Sequence, residues 1–179
     1  MISGLIPLHV VANGRMPSHK ERILGRSARA RAEIDRLTAD THQGRAEIFR
    51  ADRRIHVELA GARADAGPVS SSVAIAEARR GLTGAIGGTP LTIRRPRFGL
   101  RLVNRSAHLD AGAIQLRSHM FSPRRFAILR AATDDVVLVS DHGRTQIEAS
   151  LTPDDLIATL LFAQCGIIQG SSFINLFVL

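Results

Sequence analysis

Between Arg94 and Arg130 the chain carries nine arginines and one carboxylate, Asp110. A guanidinium stays charged at any relevant pH and can grip a phosphate or carboxylate through two parallel hydrogen bonds, so this residue type at this density points to anion recognition. The candidate anion-binding set is Arg94, Arg95, Arg97, Arg101, Arg105, Arg117, Arg124 and Arg125. Phe98 and Phe126, with Phe121 between them, interleave with these arginines, and rings placed among cations can stack on unpaired bases. The rest of the chain holds fifteen basic and fifteen acidic side chains, so the formal net charge of +8 comes from this one segment. A surface that neutralises phosphates gains affinity by releasing counterions and attracts polyanions over a Debye length. The partner class expected on these grounds is nucleic acid or an acidic protein surface.

Other chemistry has thinner support. The string Asp135 to Arg144, DVVLVSDHGR, resembles the strand and Asp-His-Gly corner that carries metal ligands in the alkaline phosphatase and sulfatase superfamily. That resemblance implies Asp141 and His142 as ligands, since carboxylate and imidazole suit zinc or manganese. It covers about ten residues, and the family's upstream nucleophile and remaining ligands have no counterpart here. The same string reads as an ordinary hairpin corner, because Asp and Gly both suit turns. His108 and Asp110 form a second, isolated pair. Gly81 to Gly88 lacks the Gly-Lys-Ser/Thr of a phosphate loop, and no G-x-S-x-G nucleophile turn occurs. The lone Cys165 excludes an internal disulfide and a four-cysteine zinc site. No catalytic residue, metal ligand set or cofactor site is assigned.

The elements that must position the arginines are read as α+β: an N-terminal helix, a mostly antiparallel sheet or small barrel in the second half, and a C-terminal helix and strand. Residues 1–17 form an extended lead-in, and 18–179 a single domain whose internal boundary, if it has one, falls at 81–90. Ser18 and Glu21 have capping-box spacing. Ala30, Ile34, Leu37 and Thr41 continue one helical face, which Gly44 would end. Ile55, Val57 and Leu59 alternate as a half-buried strand. Residues 61–68 read as a small-residue loop, and 70–80 as a short helix. Strands are expected at 91–94, 98–104, 113–117, 126–130, 136–139 and 145–149. On the second of these Arg101, Val103 and Arg105 share a face. Thr152 and Pro153 start a helix running to about Gln164, and Phe173 to Leu179 makes a last strand. The uncharged stretch from Leu156 onward is read as core in preference to a membrane anchor, because Gln164, Gln169, Asn175 and Gly170-Ser171-Ser172 interrupt it.

Apolar residues make up 45% and charged residues 22%, ordinary for a globular chain and unlike a disordered or multi-span one. Residues 1–11 lack the basic region of a secretory signal, so the cytoplasm is the expected compartment. The function expected is a non-enzymatic binding protein that engages nucleic acid or another polyanion through the Arg-rich β segment. The alternatives are a structural or adaptor subunit of a larger assembly, self-associating or docked on an acidic partner, and a metal-dependent hydrolase built on Asp141 and His142.

Overall fold

In the computed structural model, which describes residues 4–12, 36–68, 81–94, 106–122, 125–142 and 144–165, the two-residue period visible at Ile55–Leu59 runs through nearly all of the described residues before the C-terminal helix. The strands are β1 (Leu5–Pro7), β2 (His9–Ala12), β3 (Arg36–Thr41), β4 (Gly44–Ala51), β5 (Arg54–Leu59), β6 (Ala62–Gly67) and β7 (Leu82–Ile86). They continue as β8 (Thr89–Arg94), β9 (His108–Ala111), β10 (Ile114–Ser122), β11 (Arg125–Arg130), β12 (Val136–Asp141) and β13 (Arg144–Glu148). One helix follows, α1 (Pro153–Gln164).

Every pairing is antiparallel, and each strand from β2 to β13 lies beside its neighbours in sequence. The ring closes at the N-terminus. β1 pairs with β13, Leu8 N–H donates to the Thr145 carbonyl at 2.9 Å, and β2 then pairs with β3. One extended stretch from Leu5 to Ala12 therefore changes partners at Leu8 and joins the two edges of the sheet. Closure removes the unpaired edges that would otherwise template aggregation.

Alternate residues face inward and align across neighbouring strands. One such circuit runs Ile48, Val57, Ala64, Ile86, and another Ile93, Leu109, Leu116. A third runs Ile128, Leu138, Ile147, Ile6. All but the half-buried Ile6 are fully enclosed. About eight strands already make a barrel that side chains alone can fill, so a ring this wide needs something further inside.

That filler is α1. Thr152 caps it, its hydroxyl accepting from Asp155 N–H at 3.2 Å, with Pro153 at the first position and Asp154 and Asp155 at the positive end of the dipole. From Leu156 to Cys165 every residue is buried, so the helix has no polar face to offer solvent. A helix that is apolar all round is stable only when surrounded. It packs chiefly on β5 and β6 and also touches β7 and β10. Thr159, one of its few polar side chains, donates to the Asp155 carbonyl at 2.7 Å and presents a satisfied surface to the core.

The expected α+β arrangement is overturned: the molecule is a mostly antiparallel barrel, and the described residues hold a single helix, at their C-terminal end. Residues 18–35 of the expected N-terminal helix lie outside the described residues, but Arg36–Thr41, assigned to the same helix, is β3. Leu37 and Thr41 satisfy the strand period as well as the helical stripe, and pairing of Leu37 with Ile48 and Ala39 with Ala46 decides between them. Gly44 is no helix stop; it follows the turn of the β3–β4 hairpin, at φ 119°. The lead-in at 5–12 is the closing strand.

Two segments read as loops are strands for a packing reason. In β6 the inward residues are Ala64 and Ala66, whose small side chains let α1 approach. In β7 a Cβ on Gly84 would stand 1.7 Å from the Asp65 carbonyl oxygen, so the β6–β7 approach needs glycine there. The expected connection at 81–90 is β7 with its turn at Gly87-Gly88, both at positive φ, leading into β8. Strands expected at 91–94, 113–117, 126–130, 136–139 and 145–149 correspond to β8, β10, β11, β12 and β13. The helix at 70–80 and the strands at 98–104 and 173–179 lie outside the described residues.

Candidate functional site

The closed meander gives the barrel two ends, and charge separates between them. At one end lie the turns 42–43, 60–61, 87–88 and 112–113 and the start of α1. The half nearer this end carries Asp40, Glu47, Glu58, Asp110, Asp134, Asp135, Glu148, Asp154 and Asp155 against Arg45, Arg63, Arg117 and Arg130 among the described residues. The opposite half carries Arg36, Arg50, Arg53, Arg54, Arg94, Arg125 and Arg144 against Asp52, Asp65 and Asp141. The described strands break off and resume at this second end, at Ala12 and Arg36, Pro68 and Gly81, Arg94 and Ser106, and Ser122 and Arg125, and the intervening sequence holds thirteen basic residues and four acidic ones. The described barrel is thus close to neutral, and the chain's positive excess lies in the sequence outside the described residues.

Ion pairs hold the acidic end together. Arg130 reaches Glu148 at 3.3 Å and Asp155 at 3.7 Å, tying the first turn of α1 to the barrel wall. Gln43 donates from Nε2 to the Leu151 carbonyl, a second tie from the β3–β4 turn. Arg45 bonds Asp40 at 2.8 Å, and that hydrogen bond and charge hold its guanidinium above its ordinary pKa. The negative end of the α1 dipole points the other way, toward the basic end, where the charge of Arg50 is felt at Cys165.

Of the eight candidate arginines the structure describes three, and these three do not lie together. Arg94 and Arg125 are exposed at the basic end. Arg117 lies in the acidic half, with Asp134 accepting from its Nε at 3.0 Å and its Nη2 at 2.7 Å. Arg95, Arg97, Arg101, Arg105 and Arg124, and with them Phe98, lie outside the described residues. Phe126 is fully enclosed, with the buried Ser140 in register beside it on the inner face. It packs the core and has no open face for a base.

The ring that is available is Phe121, half exposed at 49%. It occupies a β-bulge: Met120 pairs with Phe126 and Ser122 with Arg125, leaving Phe121 as the extra residue turned outward. The Arg125 guanidinium lies 5.2 Å from its ring centroid, and the His119 ring meets it edge-on at 4.5 Å. Cross-strand register continues the row from Arg125 to Asp141 and from Asp141 to Arg144. Asp141 sits 3.8 Å from Arg125 and fixes that side chain beside the ring. The period-two reading that marks Leu116 and Ser118 as inward also puts His119 and Phe121 outside, and that signal distinguishes Phe121 from Phe126.

Beyond Arg144 the row meets the closing seam. Because β1 leaves β13 at Pro7 and β2 turns to β3, the sheet is notched there. The notch forms a cleft of about 480 Å³ whose lining includes Pro7, His9, Asp141, Arg144 and Gln146, a size in the range of small-ligand sites.

Asp141 and His142 form the hairpin corner between β12 and β13, and His142 takes φ 48°. Asp141 Oδ1 and His142 Nδ1 lie 2.6 Å apart, bonded to one another. Among the described residues no group of three or more His, Cys, Asp or Glu side chains converges as a metal site would require. No described helix is long and apolar enough to cross a membrane. No family model, curated protein or solved structure matches this chain.

Proposed function

We propose that this chain is a non-enzymatic binding protein that engages nucleic acid through the basic end of its barrel. The observation that carries the reading is the separation of charge along the barrel axis. Seven arginines and three carboxylates occupy one half among the described residues, against four arginines and nine carboxylates in the other. A field organised this way orients an approaching polyanion toward one end and repels it from the other. With α1 filling the lumen, the wall and rim of the barrel are the surfaces left for a ligand.

The test uses Arg94 and Arg144, which are exposed and carry no ion pair among the described residues. Affinity for a mixed-sequence oligonucleotide is measured from low to moderate salt. The wild type should weaken steeply with salt. The double substitution Arg94→Gln, Arg144→Gln should lower the log–log slope by about 1.4 if each arginine meets one phosphate of a single strand. Absence of binding at low ionic strength, or a slope unmoved by the substitutions, overturns the reading.

A further inference from the structure

We infer that the ligand of the basic end is single-stranded rather than duplex nucleic acid, and that Phe121 is the platform on which one of its bases stacks. This inference rests on the nucleic-acid reading above and adds to it the form of the ligand.

An outward phenylalanine on a barrel wall is a cost in water, and the local structure goes to some length to present this one. The bulge in β10 turns Phe121 away from the core, and His119 braces its edge. Arg125, held by Asp141, covers part of the ring with a cation while about half of the side chain stays open. A π-face with a guanidinium beside it suits a nucleotide: the ring takes the base and the cation takes the phosphate that follows. In a duplex the base faces are buried against one another, so this platform is useful only to an unpaired strand.

The row leading away from Phe121 fits the same ligand. Arg125, Asp141 and Arg144 face outward in register on consecutive strands, with strands about 4.8 Å apart. The row ends at the cleft with His9 and Gln146. Arg125 and Arg144 can follow the backbone, while Asp141 and Gln146 offer acceptors to exocyclic amino groups of bases. A lone carboxylate would repel a phosphate, and its place between two arginines suits a base edge better.

The experiment compares three probes of matched charge, a single-stranded RNA oligonucleotide, the corresponding duplex and inorganic polyphosphate, against wild type, Phe121→Ala and Phe121→Trp. The expected result is roughly tenfold or greater weakening of single-strand binding in Phe121→Ala, the size of one lost base stack, with restoration in Phe121→Trp. Duplex and polyphosphate binding and the salt slope should stay as in wild type. A 2-aminopurine base in the single strand should be quenched on binding wild type and less so on Phe121→Ala; the native chain contains no Trp or Tyr to obscure that signal. Equal effects of Phe121→Ala on all three probes, or no effect on any, overturn the platform while leaving the basic-end reading in place. Failure of the wild type to bind every probe overturns both.

Discussion

The position of α1 inside the barrel can be tested by cutting it on three sides. Successive residues stand about 100° apart around a helix axis, so Leu160, Leu161 and Phe162 point in three different directions. In a helix lying on the outside of a sheet at least one of these would face solvent, and its truncation would change stability by less than about 0.5 kcal/mol. Here their exposures are 2%, 0% and 0%. Leu160→Ala and Leu161→Ala should therefore each cost about 2–5 kcal/mol, and Phe162→Ala about 3–5 kcal/mol, from lost transfer energy and the cavity left behind. Any two together approach the about 5–15 kcal/mol that holds a domain of this kind folded, so double variants should be unfolded or nearly so. Urea titration followed by far-UV circular dichroism is the suitable assay, because the chain has no Trp or Tyr to report by fluorescence. One single variant of the three with wild-type stability would refute the enclosed helix.

Two further outcomes are expected. Gly84→Ala should destabilise by more than about 1 kcal/mol, since its Cβ has only the space now held by the Asp65 carbonyl; an unchanged urea midpoint would show that β6 and β7 are not apposed this closely. Burial pushes the Cys165 thiol up to about 12 from an ordinary 9.0, so the unfolded thiol ionises first. Its contribution to stability is complete below pH 9 and is lost as pH climbs from 9 toward 12. Cys165→Ala should flatten that decline in stability against pH, and an identical decline in the variant would show that the thiol is not enclosed.

Much of the barrel was legible from local pattern. Where apolar and polar residues alternate cleanly, as at Ile55–Leu59, strand and face both follow from the pleat alone, whereas the short apolar runs Phe126–Leu129 and Val136–Val139 mark strands without marking which face is inward. Thr152-Pro153 and the two aspartates after it mark the start of α1 for equally local reasons, the cap and the dipole. The strands that escaped notice are those whose inward residues are alanine or glycine, such as Ala64, Ala66 and Gly84. Small side chains carry little hydrophobic signal, and they are small because α1 lies against them. The region around Leu37 fits two periods at once, and only its pairing with Ala46 and Ile48 chooses one.

The candidate site divides in the same way. Composition by itself determined that the chain is arginine-rich, carries a formal charge of +8 and has the apolar content to build a core. Which half of the barrel each described arginine occupies was decided by closure of the sheet. Strand direction sends Arg94 and Arg125 to one end and Arg117 to the half where Asp134 waits, although all three lie within one stretch of sequence. Register and a bulge bury Phe126 and expose Phe121. Neighbours along a chain are fixed by covalent order, but which end of a barrel they occupy and which face they present depend on partners far away in sequence, and so only the folded ring could settle them.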